Sequence, residues 1–240
     1  MKLAALLREA LWPSRVICLC CGRPSRGGYL CAACEEALEK LRVPEPVCRL
    51  CGHALERNRC GFCGGKGAFT MRAAWIYDGA ARDLVHVLKF DAVADAARIM
   101  ADAMADTARK LLLPPDTVVT WPTMPERRKL QRGIDHGALL AAAVGERLSL
   151  PVERLLTRSD SLALETQVGM GREERRMRLK GAFTCEKRMS GPVLLVDDVL
   201  TTASTATACA ECLLAAGATR VTVVTAAQTP RHHDKQKESA

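Results

Sequence analysis

Residues 193–206, VLLVDDVLTTASTA, decide the fold. Val193, Leu194, Leu195 and Val196 form an unbroken apolar run, as expected of a parallel strand covered on both faces. Asp197 and Asp198 follow at its carboxyl end, where open α/β sheets hold their ligands. Thr201, Thr202, Ser204 and Thr205 come next, ahead of an Ala-rich stretch, so that hydroxyls and unbonded helix N–H groups converge on one place fit for an anion. Thr202 or Ser204 could instead simply cap the helix, but a cap needs no pair of carboxylates beside it. Residues 205–216 are helix-compatible, Gly217 is a suitable stop, and Thr219 to Thr225 resumes as a β-branched strand. The unit is βαβ, and the place at its turn suits a sugar phosphate.

The neighbouring segments extend this α/β reading. FTMRAAWIYD at 69–78 has the content of an edge strand or strand pair, and helices are predicted over 80–90, 92–112 and 134–149. Pro114 and Pro115 stop the second of these, and TVVTWP at 117–122 supplies a short central strand. The basic run Arg127, Arg128, Lys129 and Arg132 comes straight after it. Such a run is either a solvated loop or, if this strand lies parallel to and beside 193–197, a set of oxyanion ligands at the same sheet edge. Residues 157–181 are polar, glycine-containing and without periodicity, which suggests a mobile cover carrying Arg172, Arg175, Arg176 and Lys180. His86 reads as a packed or hydrogen-bonded residue rather than a catalyst.

At 240 residues the chain can bury a proper core, with 35 basic against 27 acidic residues giving a formal charge of +8 that favours anionic ligands. No apolar run reaches the roughly 18 to 20 residues that span a bilayer. Arg8 and Glu9 interrupt the apolar start before a signal-peptide core can form, so a short helix and a cytoplasmic location are expected. The tail from residue 230 reads as disordered.

Eight of the twelve cysteines fall into four C-x-x-C pairs: Cys18 and Cys21, Cys31 and Cys34, Cys48 and Cys51, Cys60 and Cys63. Without an export signal, metal explains them better than disulfides. Two such knuckles complete a tetrahedral site, so sequential pairing gives one Zn2+ on Cys18, Cys21, Cys31 and Cys34 and a second on Cys48, Cys51, Cys60 and Cys63, with cross-pairing left open. Gly22, Gly52 and Gly64 follow the second cysteine of a pair, where positive φ turns the knuckle back. Little besides metal is expected to hold residues 16–66 together. Cys20 and His53 are unpromising as ligands, and Cys209 and Cys212, at i and i+3 of a helix, read as small core residues ahead of a redox pair. Arginines make the cysteine-rich region basic, but only Tyr29 and Phe62 offer aromatic stacking for a nucleic acid.

LLVDDVLTTASTATACAECLLAAGA resembles the phosphoribosyl-pyrophosphate (PRPP) motif of type I phosphoribosyltransferases. With the four cysteine pairs, YDGAARDLVHVLKF at 77–90, WPTMPERRKLQRGIDHGALLA at 121–141 and TQVGMGREERRMRLKGAF at 166–183, the chain resembles the ComF/GntX-type double-zinc-ribbon phosphoribosyltransferase-like proteins over about residues 16–228. The resemblance implies a type I phosphoribosyltransferase-like α/β fold, a mainly parallel sheet with flanking helices behind an N-terminal double zinc ribbon. The corresponding division is a short helix at 1–15, zinc ribbons at 16–66, the phosphoribosyltransferase-like domain at 67–229 and the tail at 230–240. It implies that Asp197 and Asp198 hold the ribose hydroxyls, that Thr201, Thr202, Ser204 and Thr205 cradle the 5′-phosphate, and that Arg127, Arg128 and Arg132 neutralise pyrophosphate bound with Mg2+. The activity implied is phosphoribosyl (glycosyl) transfer to an acceptor that the sequence does not identify. A PRPP or nucleotide binder without turnover, and a zinc-ribbon adaptor for single-stranded DNA, are the alternatives. The family is associated with competence and DNA uptake, so single-stranded DNA and competence-machinery proteins are the implied partners, and the zinc module could serve as a homodimer surface. The chain departs from the family pattern at Ala203, where glycine is usual, and where Arg132, Gly133, Ile134, Asp135, His136 and Gly137 stand in place of an R-G-F-N-Q-A-like segment.

Overall fold

A computed structural model describes residues 16–25, 28–55, 58–60, 63, 67–91, 94–125, 130, 134–158, 179 and 181–230. The short helix expected at 1–15, residues 231–240 of the expected tail and the arginine-rich part of the expected cover lie outside them.

Four strands form a parallel sheet: β3 (Thr70–Ile76), β4 (Val118–Thr120), β7 (Pro192–Leu200) and β8 (Arg220–Gln228), in the order β3, β8, β7, β4. Period-two alternation along β7 divides the core into two layers. Leu194 and Val196 face helices α2 (Gly79–His86), α3 (Ala94–Arg109) and α4 (His136–Leu148), where Leu84, Met100, Met104 and Leu140 are fully buried. Val193 and Leu195 face the other way, onto α5 (Ser204–Ala215) through Ala206, Cys209, Ala210 and Leu213. Both faces being covered is why the strand reads as a continuous apolar run rather than an alternating one. Gly217 ends the α5 turn at φ +102°, and a Cβ there would press on the Met189 carbonyl.

The expected central strand at 117–122 is short and takes the end of the ladder. β4 pairs with β7, and on its other side it is met by the parallel bridge between Val119 and Val152. Its neighbour β7 runs past the acidic pair to Leu200, because β8 continues alongside as far as Gln228. Two short antiparallel pairs complete the strands: β1 (Val16–Ile17) with β2 (Pro24–Ser25), and β5 (Thr157–Arg158) with β6 (Phe183–Thr184), the latter joining the two ends of the 159–182 excursion.

More than metal holds the cysteine-rich region. Helix α1 (Ala32–Lys40) buries Leu38 against the α2–α3 layer, while Cys48 and Cys51 pack in the α5 layer with Met71 and Leu195. Backbone bonds stitch both parts to the outer edge of β3: Met71 N–H to the Leu50 carbonyl at 2.6 Å, Ile76 N–H to Leu41 at 2.7 Å and Val43 N–H to Ala74 at 3.2 Å. An edge strand that would otherwise offer unpaired groups to another chain is thereby covered.

Candidate functional site

The carboxyl edge of the sheet gathers the acidic pair, the hydroxyl loop and the side chains of Lys89 and His136. Asp197 accepts a hydrogen bond from the Asp198 N–H at 2.9 Å. Asp198 receives Lys89 Nζ on one oxygen at 2.8 Å and faces His136 Nε2 with the other at 3.6 Å. Burial pushes the Asp197 carboxyl up to about 7, and the neighbouring Asp198 charge pushes the same way; Lys89 and the Asp198 N–H pull it back. A pair of carboxylates so placed gains from any ligand that brings positive charge or hydroxyl donors.

Beyond the pair, the chain turns into α5 through Ala203 at φ 62°, ψ 5°, the left-handed conformation that glycine adopts most cheaply. No side chain caps α5 among the described residues: the Thr202 and Ser204 hydroxyls hydrogen-bond each other at 2.9 Å instead. The cap explanation of this hydroxyl-rich turn therefore fails. The first N–H groups of this 12-residue helix are thus left without a side-chain cap among the described residues, an arrangement compatible with an anion. Ser204 is buried, Thr202 and Thr205 are half-buried and Thr201 is exposed. At the same edge two buried side-chain atoms, Thr123 Oγ1 after β4 and Gln228 Oε1 at the end of β8, have no hydrogen-bond partner among the described residues. Polar atoms of that kind are expected where a ligand or water completes a site.

Asp135 serves the helix rather than the site. Its carboxylate accepts from the Ala138 N–H at 3.1 Å and from Trp121 Nε1 at 3.2 Å, which caps α4 and ties it to the segment after β4. Gly137 is required beside it, since a Cβ there would meet the Trp121 ring at 2.9 Å. The cap leaves His136, the first residue of α4, to face Asp198. Arg127, Arg128 and Arg132 lie outside the described residues.

Lys89 and His136 were not singled out as site residues on sequence. Lys89 sits in a π-helical turn, Val87–Asp91, that buries Leu88, directs Lys89 onto Asp198 and leaves Phe90 exposed. The motif LKF held the signal, but only the fold brings it to the acidic pair. His86 is exposed and packs its ring on Phe90 at 5.4 Å between centroids.

The cysteines assemble sequentially, Cys18, Cys21, Cys31 and Cys34 in one cluster and Cys48, Cys51, Cys60 and Cys63 in the other, with the sulfurs of each within 4.8 Å of one another. Sulfur separations of 3.3 Å (Cys51 and Cys60), 3.6 Å (Cys48 and Cys63) and 3.7 Å (Cys21 and Cys31) approach the roughly 3.8 Å edge of a tetrahedral zinc–thiolate centre. The donor set therefore fits a zinc-type metal in each cluster. The first knuckles of the two clusters are built alike: Gly22 N–H bonds the Cys18 carbonyl and Gly52 N–H that of Cys48, with φ of +69° and +70°. Cys20 instead donates to the Ala80 carbonyl at 3.6 Å, its thiol pushed up to about 12 by burial, and buried His53 meets the Cys51 carbonyl at 3.2 Å. Cys209 is fully buried in the core and Cys212 packs beside it, as core residues should.

A cavity of about 540 Å³ lies away from this edge, between the cysteine-rich region, β3 and the end of α3. Its arginines are already engaged, Arg42 with Glu39 at 3.2 Å, Arg109 with Asp106 at 2.7 Å and Arg72 with the Arg49 and Met71 carbonyls. The acidic edge, with its uncapped helix and unpartnered polar atoms, is the better candidate.

A parallel sheet carrying that edge, behind two four-cysteine clusters, places the chain among α/β proteins of the type I phosphoribosyltransferase-like fold with zinc-ribbon-like N-terminal clusters. It is 31% identical over 219 residues to the DNA utilization protein YhgH of Salmonella typhi and 29% identical over 223 residues to that of Escherichia coli K12, in each case covering 86% of this chain and 94% of the relative. The chain belongs to this ComF-type family of DNA utilization proteins. No family model matches it. Among solved structures, it is similar to the glutamine PRPP amidotransferase from B. subtilis, at a TM-score of 0.40 and 17% identity over 59% of this chain and 30% of that one. It is also similar to the purine phosphoribosyltransferase from Pyrococcus horikoshii, at 0.36 and 16% over 56% and 74%. Among the described residues no helix is long and apolar enough to cross a membrane.

Proposed function

We propose that the chain binds PRPP with Mg2+ at the carboxyl edge of the sheet and transfers its phosphoribosyl group to an acceptor nitrogen, with residues 67–229 forming the transferase unit and residues 16–66 two structural zinc ribbons. The observation that carries the reading is the acidic pair Asp197–Asp198 leading, through a turn with no side-chain cap, into the first turn of α5. Carboxylates suit the ribose hydroxyls, and amides with the Thr201, Thr202, Ser204 and Thr205 hydroxyls suit the 5′-phosphate.

In the reaction the bond from the ribose anomeric carbon to pyrophosphate breaks, and pyrophosphate leaves with the electron pair. The acceptor nitrogen bonds to that carbon and gives up its proton. Positive charge developing on the ribose ring is stabilised by the Asp197 and Asp198 carboxylates. Arg127, Arg128 and Arg132 are assigned to the departing pyrophosphate. Mg2+, when bound, would neutralise phosphate charge and fix the pyrophosphate against the ribose. No covalent nucleophile is needed.

Pyrophosphate release from PRPP, measured with each nucleobase in turn, tests the transfer. Release by the native protein and its loss in Asp197→Asn/Asp198→Asn are expected; binding of PRPP without release for any acceptor would leave a binding protein without turnover. The relatives' name favours a second reading, an adaptor that handles single-stranded DNA through its basic surface. Salt-sensitive DNA binding that is indifferent to the Asp197→Asn/Asp198→Asn change would support it.

A further inference from the structure

We propose that Lys89 is a resident counter-ion of the acidic pair, a positioning residue that holds Asp198 in the free protein and yields its place to the divalent cation that arrives with an anionic ribose phosphate. The inference rests on the reading of the acidic edge as a ribose-phosphate site and adds what controls access to it.

Two adjacent carboxylates at a half-buried sheet edge need positive charge nearby. Lys89 supplies it at 2.8 Å from one Asp198 oxygen, with the lysine side chain 27% and the aspartate side chain 12% exposed, and His136 stands at 3.6 Å from the other oxygen. Asp198 thus holds Lys89 on one oxygen before any ligand arrives, and a metal ion or a set of ribose hydroxyls approaching from that side has to displace the ammonium. Lysine suits that task. Its ammonium is a point charge on a flexible four-carbon stem, able to swing from a carboxylate to a phosphate oxygen without breaking a bidentate clamp.

The backbone supports the same role. α2 gives way at Val87 to a π turn, a feature frequent at functional sites. Here the turn anchors Leu88 in the core, at 1% exposure, which fixes the backbone from which the four-carbon stem of Lys89 extends. A cation without its anion gains only the pair of carboxylates and must leave the lysine ammonium stranded beside it. A cation bound to a ribose phosphate brings oxygens for the displaced ammonium to meet. The protein therefore discriminates against the free metal and in favour of the metal–anion complex.

The test is Mn2+ binding, read by electron paramagnetic resonance on the zinc-loaded full chain, for the native protein, Lys89→Met and Lys89→Arg, alongside titration with Mg2+ and PRPP. Lys89→Met is expected to bind free Mn2+ at least tenfold more tightly than the native protein and Mg2+–PRPP at least tenfold more weakly. Lys89→Arg, which keeps the charge but can clamp Asp198 with two hydrogen bonds, is expected to stay near native toward free Mn2+ and to bind Mg2+–PRPP more weakly than the native protein. Adding Asp198→Asn to Lys89→Met should abolish the Mn2+ gain. If Lys89→Met melts within a few degrees of the native protein and binds Mn2+ no better, the proposal is overturned. If its Mn2+ affinity rises but neither protein binds PRPP, the counter-ion stands and the ribose-phosphate reading fails.

Discussion

Asp197 and Ala203 each carry a cost in the free protein. Asp197 has an ordinary value of 3.8 raised to about 7, by burial first and the Asp198 charge second. Between these values the unfolded chain releases a proton that the folded protein keeps, so folding stability falls as pH rises through that window and the penalty is complete above it. Asp197→Asn keeps an acceptor for the Asp198 N–H and removes the penalty. Thermal melts of the ligand-free protein should show the variant gaining over wild type most at pH 8 and not at all near pH 4; a gain independent of pH would contradict the assignment. Ala203 holds φ 62° where an L-residue is strained, and Ala203→Gly is expected to raise stability by about 1 kcal/mol in denaturant titration. That the chain departs from the glycine usual in its family was legible in the sequence, and the strain follows from the turn that α5 demands. Lys89 and His136 were not legible as partners of Asp198, because a π turn leaves the apolar pattern of a helix unchanged and the pairing is made by tertiary contact alone.

Elements were legible where one physical signal dominates. The apolar run of β7, the Ala-rich α5 and the β-branched β8 announce a βαβ unit, and the cysteine spacing announces knuckles that the fold then pairs in sequence order. The end of β7 was not readable at Val196, since the strand persists through both aspartates only because β8 runs beside it. The start of α4 was readable in principle from an aspartate ahead of an apolar helix. Asp135→Ala removes that cap and the Trp121 partner together, and about 1 to 2 kcal/mol of stability should go with them in a denaturant titration. Native protein should carry two zinc ions by elemental analysis, matching its two clusters, and Cys51→Ser should carry one. Because Cys51 is fully buried against the same layer as Met71 and Leu195, its replacement should also lower the melting temperature of the whole chain. Cys185→Ser, outside both clusters, should leave the zinc count at two.

At the scale of the whole molecule, the cysteine-rich region and the sheet are one packed structure. Its two halves enter opposite core layers and clamp the edge of β3, while the acidic site opens at the carboxyl ends of the strands. Metal bound at the two cysteine clusters would therefore stabilise the scaffold that carries the acidic edge without supplying a ligand to it. The chain's net charge of +8 favours an anionic ligand, and the proposed site would take the ribose of such a ligand at the acidic pair. The most direct measurement is calorimetric titration of the zinc-loaded protein with PRPP and Mg2+, beside the Asp197→Asn/Asp198→Asn variant. Micromolar binding that disappears in a variant melting at or above the native temperature is the expected result. Absence of binding by well-folded native protein, or equal binding by the variant, would contradict a ribose-phosphate site at this edge.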